Sequence, residues 1–322
     1  MALVVKNIGI GVESVWGTAV APSSYPRIRS VGLNASYNKK LVDDTAGTRK
    51  GFGRTVNLSH LVEGDLSTYA YSDDMGWWLR GVLGGDVTTS ALANGYNHIF
   101  EQQAVASGAL PSYTIVADKG VETVRWYGAR IGSLKLSAAN DIVETTVGIS
   151  AVDEDTTTTY TVSSDQDLDP FTFNQVTIKM GATLAAASGA TAVPLDSWEF
   201  NYDNQLQTRF QSGSAGASRI DPLIAMCNGS FTKFYEGTDF NSWFKADTER
   251  AVIIQATGGL IGGSDYHRLT ISLPRVSFMT SERPYEAGNL IVESVTWEAL
   301  YDTVLEYMVQ VSLDNDKANY NS

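Results

Sequence analysis

Apolar and polar residues alternate along much of the chain, which is the spacing of half-buried β-strands. The clearest alternating segments are 112–116, 131–137, 143–149, 269–273, 291–300 and 308–313. Threonine, valine and tyrosine are abundant in them, as strands favour. Glycine, asparagine, aspartate and serine mark turns at short intervals between them. The pattern therefore predicts an all-β fold.

One short helix interrupts the strands in each half of the chain. The aspartates at 73–74 are placed to cap a helix over 75–83, which the glycines at 84–85 would end. Residues 238–239 are placed to cap a second helix over 240–245. Each helix has an apolar face, so each is expected to pack against a sheet.

The chain also contains an internal repeat. Residues 33–41 (LNASYNKKL) are echoed by residues 198–206 (WEFNYDNQL), an offset of 198 − 33 = 165. The same offset aligns Trp78 with Trp243. One register held over about fifty positions indicates a duplicated structural unit, and the two tryptophans are predicted to occupy equivalent buried positions.

Later matches need other offsets. Residues 129–131 match 274–276 at an offset of 145, and residues 142–146 match 291–295 at an offset of 149. The loops between the matches have therefore changed length. Each copy spans roughly 120 residues, long enough to bury a core of its own.

These observations predict two tandem strand-rich domains with one short helix in each. The first domain is expected at residues 1–153, an acidic, threonine-rich linker at 154–170, and the second domain at 171–322. A stretch rich in alanine, glycine and serine, 181–194, is predicted to be a hairpin tip or loop.

Each copy carries a long polar loop at the same place, 42–54 in the first and 207–219 in the second. Structureless loops of this length are uncommon and are often binding elements. Because both copies keep the same loop length at the same place, we expect the two loops to share a binding role. The candidate contact residues are Asp43, Asp44, Arg49, Lys50, Phe52, Arg54, Arg209, Phe210 and Arg219.

Charge and composition exclude several classes of function. The chain of 322 residues has a formal net charge of −13, and residues 161–322 carry 10 basic and 20 acidic side chains. This acidic balance argues against sequence-specific nucleic-acid binding. No apolar run is long enough to span a membrane, and the N-terminus does not resemble a signal peptide. We expect folding in a cytoplasm.

Catalytic and metal-binding patterns are missing from the sequence. The single cysteine, Cys227, lies in an apolar context, and the three histidines are far apart. No glycine-flanked nucleophile and no phosphate-binding loop is present. We therefore expect no enzyme activity, no cofactor and no metal. Ion binding by the long loops is left open.

The order of several motifs resembles the major tail tube proteins of long-tailed bacteriophages. The segments that carry the resemblance are 8–22 (IGIGVESVWGTAVAP), 62–66, 76–84, 127–138, 273–276 and 298–302. They cover most of the chain, although each is a loose pattern and only their order is specific.

The resemblance implies a β-sandwich flanked by a helix, assembled into six-membered rings that stack into a tube. A duplicated chain would close such a ring with three subunits, the alternative being six. Implied partners are other copies of the chain and the tail terminator, tape-measure and baseplate proteins. Genomic DNA would pass through the lumen without sequence-specific binding. The implied location is the virion tail, assembled in the host cytoplasm.

Two other classes of function compete with this reading. A carbohydrate-binding β-sandwich would use the seven tryptophans and fifteen tyrosines as stacking platforms. An enzyme on an all-β scaffold would need a convergent cluster of histidine, cysteine or acidic residues, and the sequence suggests none.

Overall fold

The computed structural model describes residues 8–43, 53–84, 87–102, 110–157 and 168–320. The all-β prediction is confirmed: strands dominate, and all pairings between them are antiparallel. No helix in these ranges is long and apolar enough to cross a membrane.

The strands are, in chain order, β1 (Ile8–Val12), β2 (Ser30–Val31), β3 (Asn34–Leu41), β4 (Thr55–Tyr69), β5 (Thr88–Ala91), β6 (Tyr96–Glu101), β7 (Tyr113–Asp118), β8 (Thr123–Ala138), β9 (Glu144–Ala151), β10 (Asp153–Thr157), β11 (Val176–Gly181), β12 (Ser197–Asp203), β13 (Gln207–Arg209), β14 (Arg219–Asp221), β15 (Met226–Phe234), β16 (Arg250–Gly262), β17 (Asp265–Glu282), β18 (Val292–Ala299) and β19 (Gln310–Asn315). The helices are α1 (Ser72–Leu83), α2 (Leu184–Gly189) and α3 (Asp239–Lys245).

Both expected helices form, but their first turns differ from the prediction. Helix α1 begins at Ser72 without a side-chain cap, and Asp74 instead accepts a hydrogen bond from the backbone N–H of Arg27 at 3.0 Å. Asp73 and Asp74 still lie in the first turn, where carboxylates complement the helix dipole. Gly84 ends α1 in the left-handed conformation, with φ of 75°.

Two segments predicted to lack structure are ordered. Residues 184–189, expected within a hairpin tip or loop, form α2, which begins where the Thr183 hydroxyl accepts a hydrogen bond from the Ala186 N–H. Residues 154–157, expected to begin the linker, belong to β10, which pairs with the first half of β8. Local composition suggested loops in both segments. Capping by Thr183 stabilises the helix α2, and pairing with β8 stabilises the strand β10.

The first strand set comprises β1, β3, β4 and β7–β10 and makes two sheets. One sheet runs β3–β4–β9–β8, and the other runs β1–β7–β8–β10. The 16-residue strand β8 belongs to both, because its first half pairs with β7 and β10 and its second half with β9. The apolar faces of the sheets enclose a common core.

The second strand set comprises β11, β12 and β15–β19 and has the same pairing scheme. One sheet runs β12–β15–β18–β17, and the other runs β11–β16–β17–β19. Strand β17 occupies the place of β8, shared by both sheets. Strand β6, from the first half of the chain, extends the second sheet by pairing with β19.

Local irregularities also recur in the two sets. The register shift between Ile131 and Ser133 in β8 has a counterpart between Phe278 and Thr280 in β17. A glycine in β4, Gly64, and its counterpart in β15, Gly229, both lie against the backbone of the preceding strand segment. A Cβ added at Gly64 would lie 2.2 Å from the Gly32 carbonyl oxygen, and one at Gly229 would lie 2.0 Å from that of Glu199.

Strand pairing corrects three of the sequence matches. The register shifts that precede Ser133 in β8 and Thr280 in β17 give an offset of 280 − 133 = 147, where the sequence match had given 145. Glu63 pairs with Asn34, and its counterpart at the 165 offset, Asn228, pairs with Asn201, so β3 and β12 are offset by 201 − 34 = 167 and not 165.

The third correction, between β9 and β18, is by a single residue. Leu66 pairs with Val147, and its counterpart at the 165 offset, Phe231, pairs with Val295, so the offset between β9 and β18 is 295 − 147 = 148. The sequence match of residues 142–146 with 291–295 had given an offset of 149. That alignment equates an exposed residue, Glu144, with Glu293, which is fully buried. A one-residue slip exchanges the two faces of a strand.

The C-terminal segment, which follows the last strand of the second strand set, packs against helix α1. Tyr320 is fully buried, and its hydroxyl donates a hydrogen bond to the Asp73 carbonyl at 2.8 Å. Its ring lies on Gly76, where a Cβ would be 2.3 Å from the ring carbon Cζ. Burial and the neighbouring Asp316 carboxylate raise the pKa of Asp73 to about 7.

The two repeat tryptophans are not equally buried. Trp78 is fully buried in α1, whereas Trp243 in the shorter α3 is half-buried and stacks on Phe278. The equal burial expected from the repeat is therefore wrong. Phe240 is the deeply buried aromatic residue of α3, at 1% exposure.

Replacement of the two tryptophans should have unequal effects. Trp78→Ala should lower the free energy of unfolding by about 3–5 kcal/mol, because it leaves a cavity in the core. Trp243→Ala should cost less than half as much, since part of that ring is already in water. Chemical unfolding monitored by circular dichroism measures both changes, and equal losses would contradict the difference in burial.

Candidate functional site

The two strand sets are joined by direct pairing of β8 with β12. Six residue pairs form this β8–β12 junction, from Ser133 opposite Asp203 to Ala138 opposite Trp198. Three pairs point to the core: Leu134 with Tyr202, Leu136 with Phe200, and Ala138 with Trp198, all buried. The main sheets of both sets therefore form one continuous surface, β3–β4–β9–β8–β12–β15–β18–β17.

The opposite side of this continuous sheet is polar. We call it the polar face; on its six central strands, β4, β9, β8, β12, β15 and β18, its residues are Glu63, Asp65, Ser67, Ser133, Lys135, Ser137, Glu144, Thr146, Gly148, Ser150, Ser197, Glu199, Asn201, Asp203, Asn228, Ser230, Thr232, Ser294, Thr296 and Glu298. They alternate with buried apolar residues along each strand, as in a sheet with one face in water. Pairing carries the polar face across the junction, since Ser133 lies opposite both Gly148 and Asp203.

The polar face is strongly acidic. Its carboxylates are Glu63, Asp65, Glu144, Glu199, Asp203 and Glu298. Two basic side chains offset part of this charge: the Lys135 Nζ lies 2.8 Å from the Glu199 carboxylate across the junction, and the Arg29 guanidinium lies 2.5 Å from Glu144. The remaining charge gives this surface a negative potential.

The second long loop lies against the first strand set of the same chain. The His60 N–H donates a hydrogen bond to the Ala215 carbonyl at 2.9 Å. The Asn204 N–H donates to the Gly132 carbonyl at 2.8 Å, and its side chain donates to the Val82 carbonyl, in the last turn of α1, at 2.7 Å. Leu206 lies over Gly132. These contacts extend the β8–β12 junction beyond the paired strands.

Asp221 organises the base of this loop. Strands β13 and β14 form a small hairpin, and Asp221 lies 3.0 Å from the Arg219 guanidinium and 3.7 Å from both Arg209 and Arg130. Arg130 belongs to β8, is buried, and also donates a hydrogen bond to the Ile220 carbonyl. Burial lowers the pKa of Arg130, and the Asp221 carboxylate opposes that shift.

The predicted contact residues are only partly covered by the structure. Arg209 and Arg219 form ion pairs with Asp221, and together with Arg130 these residues make the Asp221 cluster. Phe210 is exposed. Asp43 is exposed at the base of the first loop, where the Val42 N–H donates to the Arg54 carbonyl at 3.0 Å. The other four predicted residues lie outside the described part of the chain; they are Asp44, Arg49, Lys50 and Phe52.

A comparison with protein families decides the class of this molecule. The family model described as "Phage tail tube protein" matches residues 5–299, which is nearly the whole chain. The chain belongs to this phage tail tube family. It is thus a structural component of a phage tail, and the family is not one of enzymes. A comparison with curated proteins finds no match.

Two observations bear on the competing readings for this tail tube family member. None of the seven tryptophans is exposed: Trp77, Trp78, Trp126, Trp198 and Trp297 are buried, and Trp16 and Trp243 are half-buried. A sugar would therefore find no open tryptophan platform. Within the described ranges, no group of three or more histidine, cysteine or acidic side chains is arranged to hold a metal.

The sequence reasoning missed both the β8–β12 junction and the role of Asp221. The alternation over 133–138 and 198–203 was visible, but it does not say which strands are neighbours. The basic residues of the second loop were noted without Asp221, their common partner. Only the fold brings Arg130, 91 positions earlier in the chain (221 − 130), to this carboxylate.

Neutralising Asp221 should weaken the attachment of the second loop. Asp221→Asn would leave the buried Arg130 guanidinium without its anion and the three arginines without a common partner. Breaking a buried ion pair costs about 3–5 kcal/mol, and the partial exposure of Arg209 and Arg219 places this loss near about 3 kcal/mol. The matched control Glu63→Gln, exposed on the polar face, should change stability by less than about 0.5 kcal/mol. Equal unfolding midpoints would contradict the role given to Asp221.

Proposed function

We propose that this chain is the major tail tube subunit of a long-tailed, siphovirus-type phage. Three chains form a ring with pseudo-sixfold symmetry, and stacked rings build a tube that conducts genomic DNA. The observation that carries the proposal is the β8–β12 junction, which joins two similar strand sets into one sheet. Membership of the tail tube family supports the same function.

The two strand sets are proposed to be two copies of one domain. Their shared pairing scheme, the common register shift in β8 and β17, and the matched glycines support duplication. The first domain extends to about residue 157, because β10 pairs with β8, and the second begins near residue 171. Such a chain supplies two of the six places in a ring.

The geometry of the junction supports ring closure. The first set uses β8 and the second set uses β12, so the two sets contact each other through different surfaces. Heterologous contacts of this kind generate a closed ring when the rotation between neighbours closes. We propose that the rotation relating the first strand set to the second set of one chain also relates that second set to the first set of the next chain.

The polar face is proposed to line the lumen. It is the continuous, acidic side of the sheet that spans both sets. Carboxylates repel the phosphate backbone, and because the two basic side chains at this face, Lys135 and Arg29, are paired with carboxylates, DNA gains little by binding. DNA would therefore slide through without adhering to the wall, and its sequence would not be read.

The long loops are proposed to carry contacts between neighbouring subunits or rings. The second loop already bridges the two sets within one chain, through His60, Asn204 and Asp221. The first loop has the same length and position in the sequence, so it would act toward a neighbouring chain. Its basic residues include Arg49, Lys50 and Arg54, which would pair with carboxylates and orient the partner.

Electron microscopy and mass measurement test the tube and the ring number. Purified protein at high concentration should form rings or tubes in negative stain. Native mass spectrometry of isolated rings should give three times the subunit mass of 34.8 kDa. Six chains per ring would refute the trimer and leave the tube function intact. A monomer at every concentration would count against both.

Shortening the first loop tests its role in polymerisation. Deletion of residues 44–52 should leave a folded subunit with an unchanged circular dichroism spectrum that no longer builds tubes. A matched control replaces the same nine residues by a glycine–serine segment of equal length, which keeps the chain connection and removes the side chains. Normal tubes from both variants would show that the assembly contacts lie elsewhere.

A further inference from the structure

The C-terminal segment, residues 316–320, closes over the beginning of helix α1. Immediately before it, the Asn315 side-chain amide donates a hydrogen bond to the Ser72 carbonyl at 3.0 Å. At its far end, the Tyr320 hydroxyl donates to the Asp73 carbonyl at 2.8 Å. These two contacts hold the segment against the first turn of α1, so the end of the second strand set is attached to the helix of the first half of the chain.

An acidic pair lies between the segment and the helix. The Asp73 side chain, in the first turn of α1, shares a hydrogen bond with the Asp316 carboxyl. Two charged carboxylates can only accept and repel each other, so this hydrogen bond exists only while one of them carries a proton. Asp74 adds negative charge from the same helix, and the Lys317 ammonium partly offsets it. Burial raises the pKa of Asp74, and the Arg27 guanidinium, 3.3 Å away, opposes that rise.

His98, on β6, lies under the segment and is fully buried. Its Nε2 lies 2.8 Å from the Lys317 carbonyl, and its Nδ1 lies 2.9 Å from the Thr89 hydroxyl. A carbonyl oxygen only accepts, so Nε2 carries the hydrogen and donates it. The ring also packs edge-on against Tyr320, with the ring centroids 4.9 Å apart. Burial lowers the pKa of His98, and the hydrogen bond to the Lys317 carbonyl and the Asp314 carboxylate oppose that shift.

His267, on β17, lies beside the same end of the helix. Its Nδ1 is 2.8 Å from the Ser72 hydroxyl, and both side chains are buried. Burial lowers the pKa of His267, and the Asp316 carboxylate opposes that shift. Tyr320 stays uncharged, because burial raises the pKa of its phenol well above the usual value. The segment thus lies against both carboxyl and imidazole groups, whose charges respond to pH.

We propose that the C-terminal segment is a proton-dependent latch, closed on α1 while the Asp73–Asp316 pair shares one proton and open when both carboxyls are charged. Opening removes the Tyr320 ring from its place on Gly76 and hydrates His98, while the β6–β19 and β8–β12 pairings remain. Protonation therefore sets how firmly α1 is attached to the end of the second strand set. The latch belongs to the single chain and is independent of the proposed ring.

The carboxyl pair and the histidines respond to pH in opposite directions. The pKa of Asp73 is about 7 in the closed form, against about 3.9 in an unstructured chain. Its contribution to closure is complete below the lower value and is lost as the pH rises through about 7. The histidines, whose pKa values are lowered, contribute above their ordinary value of about 6.5 and lose that contribution as the pH falls. A variant that changes only the carboxyl pair separates the two effects.

Amide exchange of the segment in the isolated, full-length subunit tests the latch. In Asp73→Asn, the new amide keeps the shape of the protonated carboxyl, can donate to Asp316 and stays uncharged. Mass spectrometry measures hydrogen–deuterium exchange of peptides covering residues 314–320. Comparing the two proteins at the same pH cancels the intrinsic exchange rate and the titration of the shared histidines. The ratio of wild-type to variant exchange rates should rise at least about tenfold from about pH 5 to about pH 8, because only the wild type loses the shared proton.

Two further variants and one internal reference complete the measurement. Asp239→Asn changes an exposed aspartate in the first turn of α3, so it removes the same kind of helix-dipole contribution from a different helix. Its ratio should change by less than about twofold over the same pH range. Asp316→Asn removes the other member of the pair, and segment exchange in this variant should rise less with pH than in the wild type. The amides of β16 should stay protected throughout, since the opening is local.

Several results would overturn the latch. One is an Asp73→Asn ratio that changes by less than about twofold over this pH range. Others are a full wild-type rise in Asp316→Asn, or a segment that exchanges at the unprotected rate at every pH. Exchange of β16 that rises together with that of the segment would show global unfolding and would equally contradict a local opening. None of these measurements needs a tube, so each of these results would leave the proposed function intact.

Discussion

Main-chain pairing between β8 and β12 is the interaction on which the rest of this structure depends. It converts two strand sets into one sheet without exposing the edges between them. Its apolar side, with Leu136 against Phe200, merges the two cores. Its other side makes the polar face continuous. Within the described residues, β3 pairs on one side only, and the end of β17 at Thr280–Glu282 pairs with β18 alone.

Alternation along the strands gives the sheet two different surfaces from one backbone. Residues that face the core are apolar and packed, while their neighbours are small, polar or acidic. An acidic wall needs no binding site, because its proposed role is to avoid adhesion to DNA. The charged groups of this protein are thus distributed over a wide surface, which agrees with its membership of a structural family. The helices, the ion pairs of Asp221 and the C-terminal segment around Tyr320 add further contacts to the core under this sheet.

Much of the architecture was predictable because strand formation is a local signal and the matched segments can be compared directly along the chain. The alternation identified the main strands, and the 165-residue offset identified corresponding segments. The signal failed where it depended on single letters: the shared glutamates at 144 and 293 are at different structural positions, one exposed and one buried. It also failed for α2 and β10, where capping or pairing with a distant strand outweighed a loop-like composition.

The sequence by itself determined the fold class, the main strands, the place of α1 and α3 and the acidic balance, since the strands and helices follow from patterns within short stretches of chain and the charge follows from composition. Only the tertiary structure decided which strands are neighbours, which repeat tryptophan is fully buried, and where the arginines of the second loop find Asp221. The physical reason is that a strand satisfies its hydrogen bonds with whichever edge the fold brings beside it. That choice depends on the whole core, and no segment of the sequence specifies it alone.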